Sequence, residues 1–209
     1  MEKTYRVYGL TALVLILIFL GGCTGKSAPT RFYLLESTPQ DPDSHTVSVD
    51  MLADQNHVIK VGLGPFKIPP YLDRPQMVTR TAPNRLKLME FDNWAEPLKD
   101  TISRLTLERL STLLNRDGVI VLSWDSRARL DYQVPIEVIR LDNTPGKDAL
   151  LAARWEVIRN PDKALVLIRT SRYTQESGID SPEAFAAAQS RNLESLCRDM
   201  ADALRQYKP

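Results

Sequence analysis

The chain of 209 residues carries 27 basic and 26 acidic side chains, and a sequence so nearly neutral gains little from the counterion release that drives binding to DNA or RNA. His45 and His57 are its only histidines, and they lack the paired spacing of a metal site. Neither nucleic-acid binding nor a metal centre is expected, and no cofactor is implied.

Lys3 and Arg6 precede an almost unbroken apolar run over residues 10–20, which ends in Leu20, Gly21, Gly22 and Cys23. The run is shorter than the about 20 apolar residues of a spanning helix and closes on small residues, as a secretory signal with a lipobox does. Residues 1–22 therefore read as a lipoprotein signal peptide and Cys23 as the lipidated residue. At ~0.8 kcal/mol per buried CH₂, two or more acyl chains give stable attachment, so the mature chain is expected to be anchored, not spanning. In Gram-negative lipoproteins an Asp directly after the acylated cysteine typically retains the protein in the inner membrane. Thr24 stands there, which predicts the outer membrane, periplasmic face. Processing also removes Glu2, Lys3 and Arg6, leaving the mature chain balanced in charge. With Cys23 acylated, only Cys197 remains, and no intramolecular disulfide can form.

Residues 23–30 read as the lipidated cysteine and a short tether of small and polar residues, and residues 31–209 as one periplasmic α+β domain. Seven tether residues reach at most ~25 Å when extended, which keeps the domain near its membrane. A strand is expected over 31–36, centred on Phe32, Tyr33, Leu34 and Leu35. Residues 37–56 are rich in Pro, Asp, Ser and Thr, with a weak apolar patch at Val47, Val49, Met51 and Leu52, and read as mostly irregular.

An apolar run over 58–63 leads to Pro65, Pro69, Pro70 and Pro75. Prolines fix φ and remove ladder donors, so this segment reads as a rigid loop outside any sheet. Two short strands, 76–81 and 85–91, flank the turn signal Ala82, Pro83 and Asn84 and make a hairpin. Asp92, Asn93 and Glu96 are cap candidates, with Pro97 an early proline, for a helix whose Leu98, Ile102, Leu105 and Leu113 share one face, widened by Leu110 and Leu114. Gly118 is the expected stop.

Three segments of this region carry a family resemblance: Ile68, Pro69, Pro70, Tyr71, Leu72, Asp73, Arg74 and Pro75; then Asn84, Arg85 and Leu86; then Trp94, Ala95, Glu96, Pro97 and Leu98. Together they resemble the auxiliary lipoproteins of paraquat-inducible, MCE-type intermembrane transport systems (PqiC-like). The resemblance implies an outer-membrane-anchored, non-enzymatic accessory of a lipid-transport machine, whose partner is an MCE-type protein reaching across the periplasm. Self-association of several copies around a tubular partner is a further expectation, because it adds avidity.

Beyond the helix, a short strand is expected over 119–124. A longer one over 129–141 alternates Leu130, Tyr132, Val134, Ile136 and Val138 with polar residues and Pro135, the clearest period-two pattern in the chain. Pro135 points to an edge position or a bulge. Turns at 142–148 and 160–162 then predict strands over 149–159 and 163–174, completing an antiparallel meander. Arg154, Arg159, Arg169 and Arg172 sit at strand positions and read as a solvated face. Ser181 and Pro182 cap a long helix with Phe185, Leu193, Leu196, Cys197, Met200 and Leu204 on one face. The fold class is α+β: a mostly antiparallel sheet of about six to eight strands with two amphipathic helices packed on one face.

The chemistry-bearing motifs are missing. There is no Walker-type phosphate loop, no nucleophile elbow, no paired-histidine zinc helix and no C-x-x-C, so an enzyme is not expected. Glu90, Asp92 and Glu96 lie close in sequence, but beside a helix start they read as capping and macrodipole groups. Trp94 reads as a core or staple residue. The loop over 69–75 is the candidate binding element: Tyr71 and Leu72 with Asp73 and Arg74 are preorganised aromatic, apolar and Arg groups of the kind interfaces favour. The alternative is that Tyr71 and Leu72 tuck into the protein's own core. In function, the alternative to an MCE-docking accessory is a stand-alone lipid-binding or chaperone lipoprotein with its own apolar cavity.

Overall fold

Prolines dictate the unusual features of this fold, and strand alternation dictates the rest. The computed structural model describes residues 28–37, 58–143, 148–177 and 181–207. The expected signal peptide, Cys23, most of the tether, His45, His57 and the apolar patch at Val47 to Leu52 lie outside the described residues.

Among the described residues the order is β1 (Arg31–Tyr33), β2 (Ile59–Lys67), a 3-10 turn (Pro70–Leu72), β3 (Gln76–Ala82), β4 (Arg85–Trp94), α1 (Leu98–Leu114), β5 (Val119–Ser123), β6 (Tyr132–Asn143), β7 (Asp148–Arg159), β8 (Ala164–Glu176), α2 (Pro182–Leu204) and a last 3-10 turn (Arg205–Tyr207). This is the expected α+β class with eight strands and two helices. The strands divide between a five-stranded sheet, β5-β2-β6-β7-β8, and a three-stranded one, β1-β4-β3. β6, β7 and β8 form the expected antiparallel meander and β3–β4 the expected hairpin. β2 runs parallel to both β5 and β6, and β1 parallel to β4.

The strand expected over 31–36 is shorter, Arg31–Tyr33. Two proline readings also need correction. Pro65 is not in a loop: β2 continues through it to Lys67. Pro135 is not on an edge, since β6 lies between β2 and β7. The second of the two readings for Pro135, a bulge, is the one observed. Leu63 pairs with Val134, but the next pair is Phe66 with Ile136, so β2 has one extra residue at this point, and Pro65 and Pro135 both fall in the unpaired stretch. Gly64 makes the irregularity at φ +113, a conformation L side chains rarely adopt. Its carbonyl accepts from Gln133 Nε2 at 3.2 Å, which satisfies a group the ladder has lost.

Val134, Ile136 and Val138 are buried as their alternation requires. A second register shift between Val138 and Arg140 then turns Ile139 outward and Leu141 and Asp142 inward. α1 begins after Pro97 with no side-chain cap. Asp92 and Asn93, expected as cap candidates, instead belong to β4. The helix ends at Leu114, four residues ahead of Gly118, whose φ of +70 turns the chain into β5. α2 starts as expected, Ser181 Oγ accepting from Ala184 N at 3.1 Å with Pro182 behind it. One continuous buried cluster joins both sheets and both helices. It includes Leu63 and Trp155 from the large sheet, Met77 and Trp94 from the small one, and Ile102, Leu196 and Met200 from the helices.

Candidate docking surface

The proline-rich loop is built by its backbone. Pro70 starts a 3-10 turn in which Leu72 N donates to Pro69 O (2.9 Å) and Asp73 N to Pro70 O (3.2 Å). Arg74 N donates to Leu72 O at 2.9 Å, and Trp94 N, at the far end of the hairpin, donates to Pro75 O at 2.7 Å. Both ends of the loop are therefore held.

The turn divides the four candidate residues into two pairs. Leu72 is 2% exposed and belongs to the core. Tyr71 is half-buried, packed against the same core, and its pKa is raised first by burial and then by the Asp142 carboxylate. Asp73 and Arg74 are exposed. The apolar pair thus faces inward and the charged pair outward.

The adjoining hairpin is a surface that sequence reasoning missed. Leu86, Leu88 and Phe91 of β4 are all more than a third exposed. β1 pairs with β4 only at Asp92, Asn93 and Trp94, so β1 leaves the edge of β4 over residues 85–91 uncovered. The register of β3 with β4 jumps from Gln76↔Asn93 to Val78↔Leu88, and the hairpin bends there. Alternation of apolar and charged residues over 85–88 signals a half-buried strand, but no sequence signal says that the apolar half lacks a cover.

The three neighbouring carboxylates do not converge. Glu90 is exposed. Asp92 is buried and accepts from Arg31 Nε at 2.8 Å and from the Tyr33 hydroxyl at 2.9 Å, which ties β1 to β4. Burial, then the bond to Asp92, pushes the Tyr33 hydroxyl up to about 12. Glu96 accepts from Arg104 Nη2 at 2.8 Å and from Thr101 Oγ1 at 3.3 Å, and Arg104 lowers its pKa. Trp94 is a core residue, its ring 6.3 Å from that of Phe185. Among the described residues no group of three or more His, Cys, Asp and Glu is placed to hold a metal ion.

The four strand arginines are exposed as expected. Arg159 pairs with Asp162 at 2.6 Å, Arg154 lies 3.7 Å from Glu156, and Arg169 sits over the Trp155 ring at 5.3 Å. Cys197 is 1% exposed, and burial pushes its thiol up to about 12. An open groove of about 440 Å³ lies between the segment around β1 and the first turns of α2, lined by Phe32, Leu34, Ala186 and Ala187 among others. Among the described residues no helix is long and apolar enough to cross a membrane.

Residues 42–201 match the family model described as the ABC-type transport auxiliary lipoprotein component. No curated protein matches the chain in sequence. Among solved structures, that of an uncharacterized protein superimposes with a TM-score of 0.68 at 13% identity, covering 85% of this chain and 99% of the other. A Xanthomonas campestris protein of the DUF330 family gives 0.61 at 18% identity, covering 81% and 92%. At these identities the likeness is one of fold.

Proposed function

Because the chain belongs to the ABC-type transport auxiliary lipoprotein family, we propose that it is a non-enzymatic accessory subunit held at the periplasmic face of the outer membrane by acylated Cys23. In this reading residues 31–209 form one domain on a short tether, and the domain docks the periplasm-spanning MCE-type protein of an intermembrane lipid-transport system. Several copies gather around that partner.

The observation that carries the reading is the division of the loop over 69–75. Tyr71 and Leu72 are held in the core, so Asp73 and Arg74 are presented on a backbone that is already fixed, with the exposed Leu86, Leu88 and Phe91 on the hairpin that follows. A surface ordered before contact loses less conformational entropy on binding. Charged groups on one element and uncovered apolar ones on the next also match the make-up of transient interfaces. Here Tyr71 and Leu72 act as the struts of the docking element, and Asp73 and Arg74 as its contacts.

A stand-alone lipid carrier is the second reading, and the groove of about 440 Å³ favours it. Carriers enclose most of their ligand, whereas this groove is open along its length. Cross-linking in intact membranes followed by affinity purification and mass spectrometry tests the proposal: an MCE-type protein should be the main partner, whereas purified protein carrying stoichiometric lipid and no partner would favour carriage.

A further inference from the structure

We propose that the groove beside β1 is a seating face that rests on the phospholipid surface in which Cys23 is anchored; the inference rests on the acyl-anchor reading above. The alternation of the segment is its first support. Tyr33 and Leu35 point inward at 9% and 3% exposure, while Phe32 and Leu34 point outward at 65% and 43%. Phe32 is the most exposed large apolar side chain among the described residues. Ala186 and Ala187 of α2 form the opposite wall.

Position is the second support. Phe32 follows Cys23 by nine residues, which span at most ~30 Å when extended and less along any other path. The chain is rigid where it arrives: β1 is in register with β4, and Arg31 and Tyr33 are both bonded to Asp92. The outward pair therefore cannot swing away from the side on which the tether enters. Charge is the third. Glu36 and Glu183 on the rim stand against Arg191, and the neighbouring Arg31 is already paired with Asp92, so the face offers no net attraction to anionic headgroups. It binds through apolar area, with the anchor supplying proximity, and contact should be insensitive to salt and to the proportion of anionic lipid.

The test uses the full-length acylated protein in phosphatidylethanolamine/phosphatidylglycerol vesicles. Cys23 is alkylated and Cys197 is buried, so Ala187→Cys supplies one reactive thiol for an environment-sensitive fluorophore. Thr170→Cys is the control: it lies next to Ser171, which bonds Asp199, twelve residues or ~18 Å beyond Ala187 along α2. Brominated lipid should quench the label at 187 several-fold more than the label at 170. The exposed double substitution Phe32→Ser with Leu34→Ser should abolish the difference while circular dichroism is unchanged. Equal quenching at both sites, or quenching that survives the double substitution, overturns the proposal. Protection of site 187 that rises with protein density in the vesicle overturns it in favour of a second copy. Intact mass of the same sample separates the two readings: acylated protein without quenching fails only the seating face, whereas unacylated Cys23 fails the anchor and the seating face together.

Discussion

Arg80 of β3 donates from Nε and Nη2 to one oxygen of Asp142 on β6, at 3.0 and 2.9 Å, and Asp142 is wholly buried. Arg140 holds the same carboxylate from its own strand, and Arg80 N donates to Asn143 Oδ1 at 3.0 Å. The small sheet is thus clamped to the end of β6, beside the half-buried Tyr71. The loop over 69–75 joins β2 of the large sheet to β3 of the small one. Removing one partner of a buried pair leaves an uncompensated charge. Asp142→Ala should cost about 3 kcal/mol, the low end for such a change, because both guanidiniums retain some access to water. A denaturant midpoint that does not fall would show that the clamp carries no stability.

The helices have a clamp of their own. Arg109 on α1 donates to both oxygens of Glu194 on α2, at 2.5 and 2.6 Å, and Arg198 adds a third bond at 2.7 Å. Burial pushes the Glu194 pKa up, and the two guanidiniums pull it down further, so it ends below the ordinary 4.5. A depressed folded-state pKa means that the stabilisation is fully present above the unfolded value and is lost as pH falls through the folded one. The melting temperature should therefore drop on acidification below about pH 4.5, and Glu194→Gln should be less stable at neutral pH with a flatter acid limb. Parallel acid limbs in the two proteins would contradict this.

Cys197 is expected to be inert. Its thiol is buried and its pKa is pushed up to about 12, so the thiolate that reacts is scarce. Native protein should label with a thiol reagent at least a hundredfold more slowly than unfolded protein, and rapid native labelling would show that α2 opens away from α1, whose Thr106 and Arg109 neighbour the thiol.

Much of this fold was legible because its signals are local. The meander follows from period-two alternation, α2 from Ser181 and Pro182 ahead of an apolar stripe, and the hairpin from Ala82, Pro83 and Asn84. What was not legible depends on distant partners. Pro135 is tolerated in a central strand because β2 carries a bulge at Gly64 and Pro65, some seventy residues earlier. Asp92 leaves its expected capping role because Arg31 and Tyr33 reach it from another strand. The loop signalled a rigid element, but which of its side chains turn inward depends on the 3-10 turn at Pro70–Leu72. The exposure of Leu86, Leu88 and Phe91 depends on how little of β4 is covered by β1.

The anchor is tested at two adjacent residues. Cys23→Ala removes the acyl acceptor and should leave an unprocessed, unlipidated precursor by intact mass. Thr24→Asp should move the protein to inner-membrane fractions, and unchanged flotation with the outer membrane would contradict the sorting argument.

The docking claim is tested most directly by capture of the MCE-type partner from solubilised membranes with Arg74→Glu, compared with Leu72→Ala. Arg74 is exposed, so its substitution should reduce capture at least tenfold with an unchanged melting temperature. Leu72 is 2% exposed, and its truncation should cost about 2–5 kcal/mol, reducing capture only through stability. Full capture by Arg74→Glu, at a melting temperature equal to the wild type, would contradict the assignment of this loop to the interface.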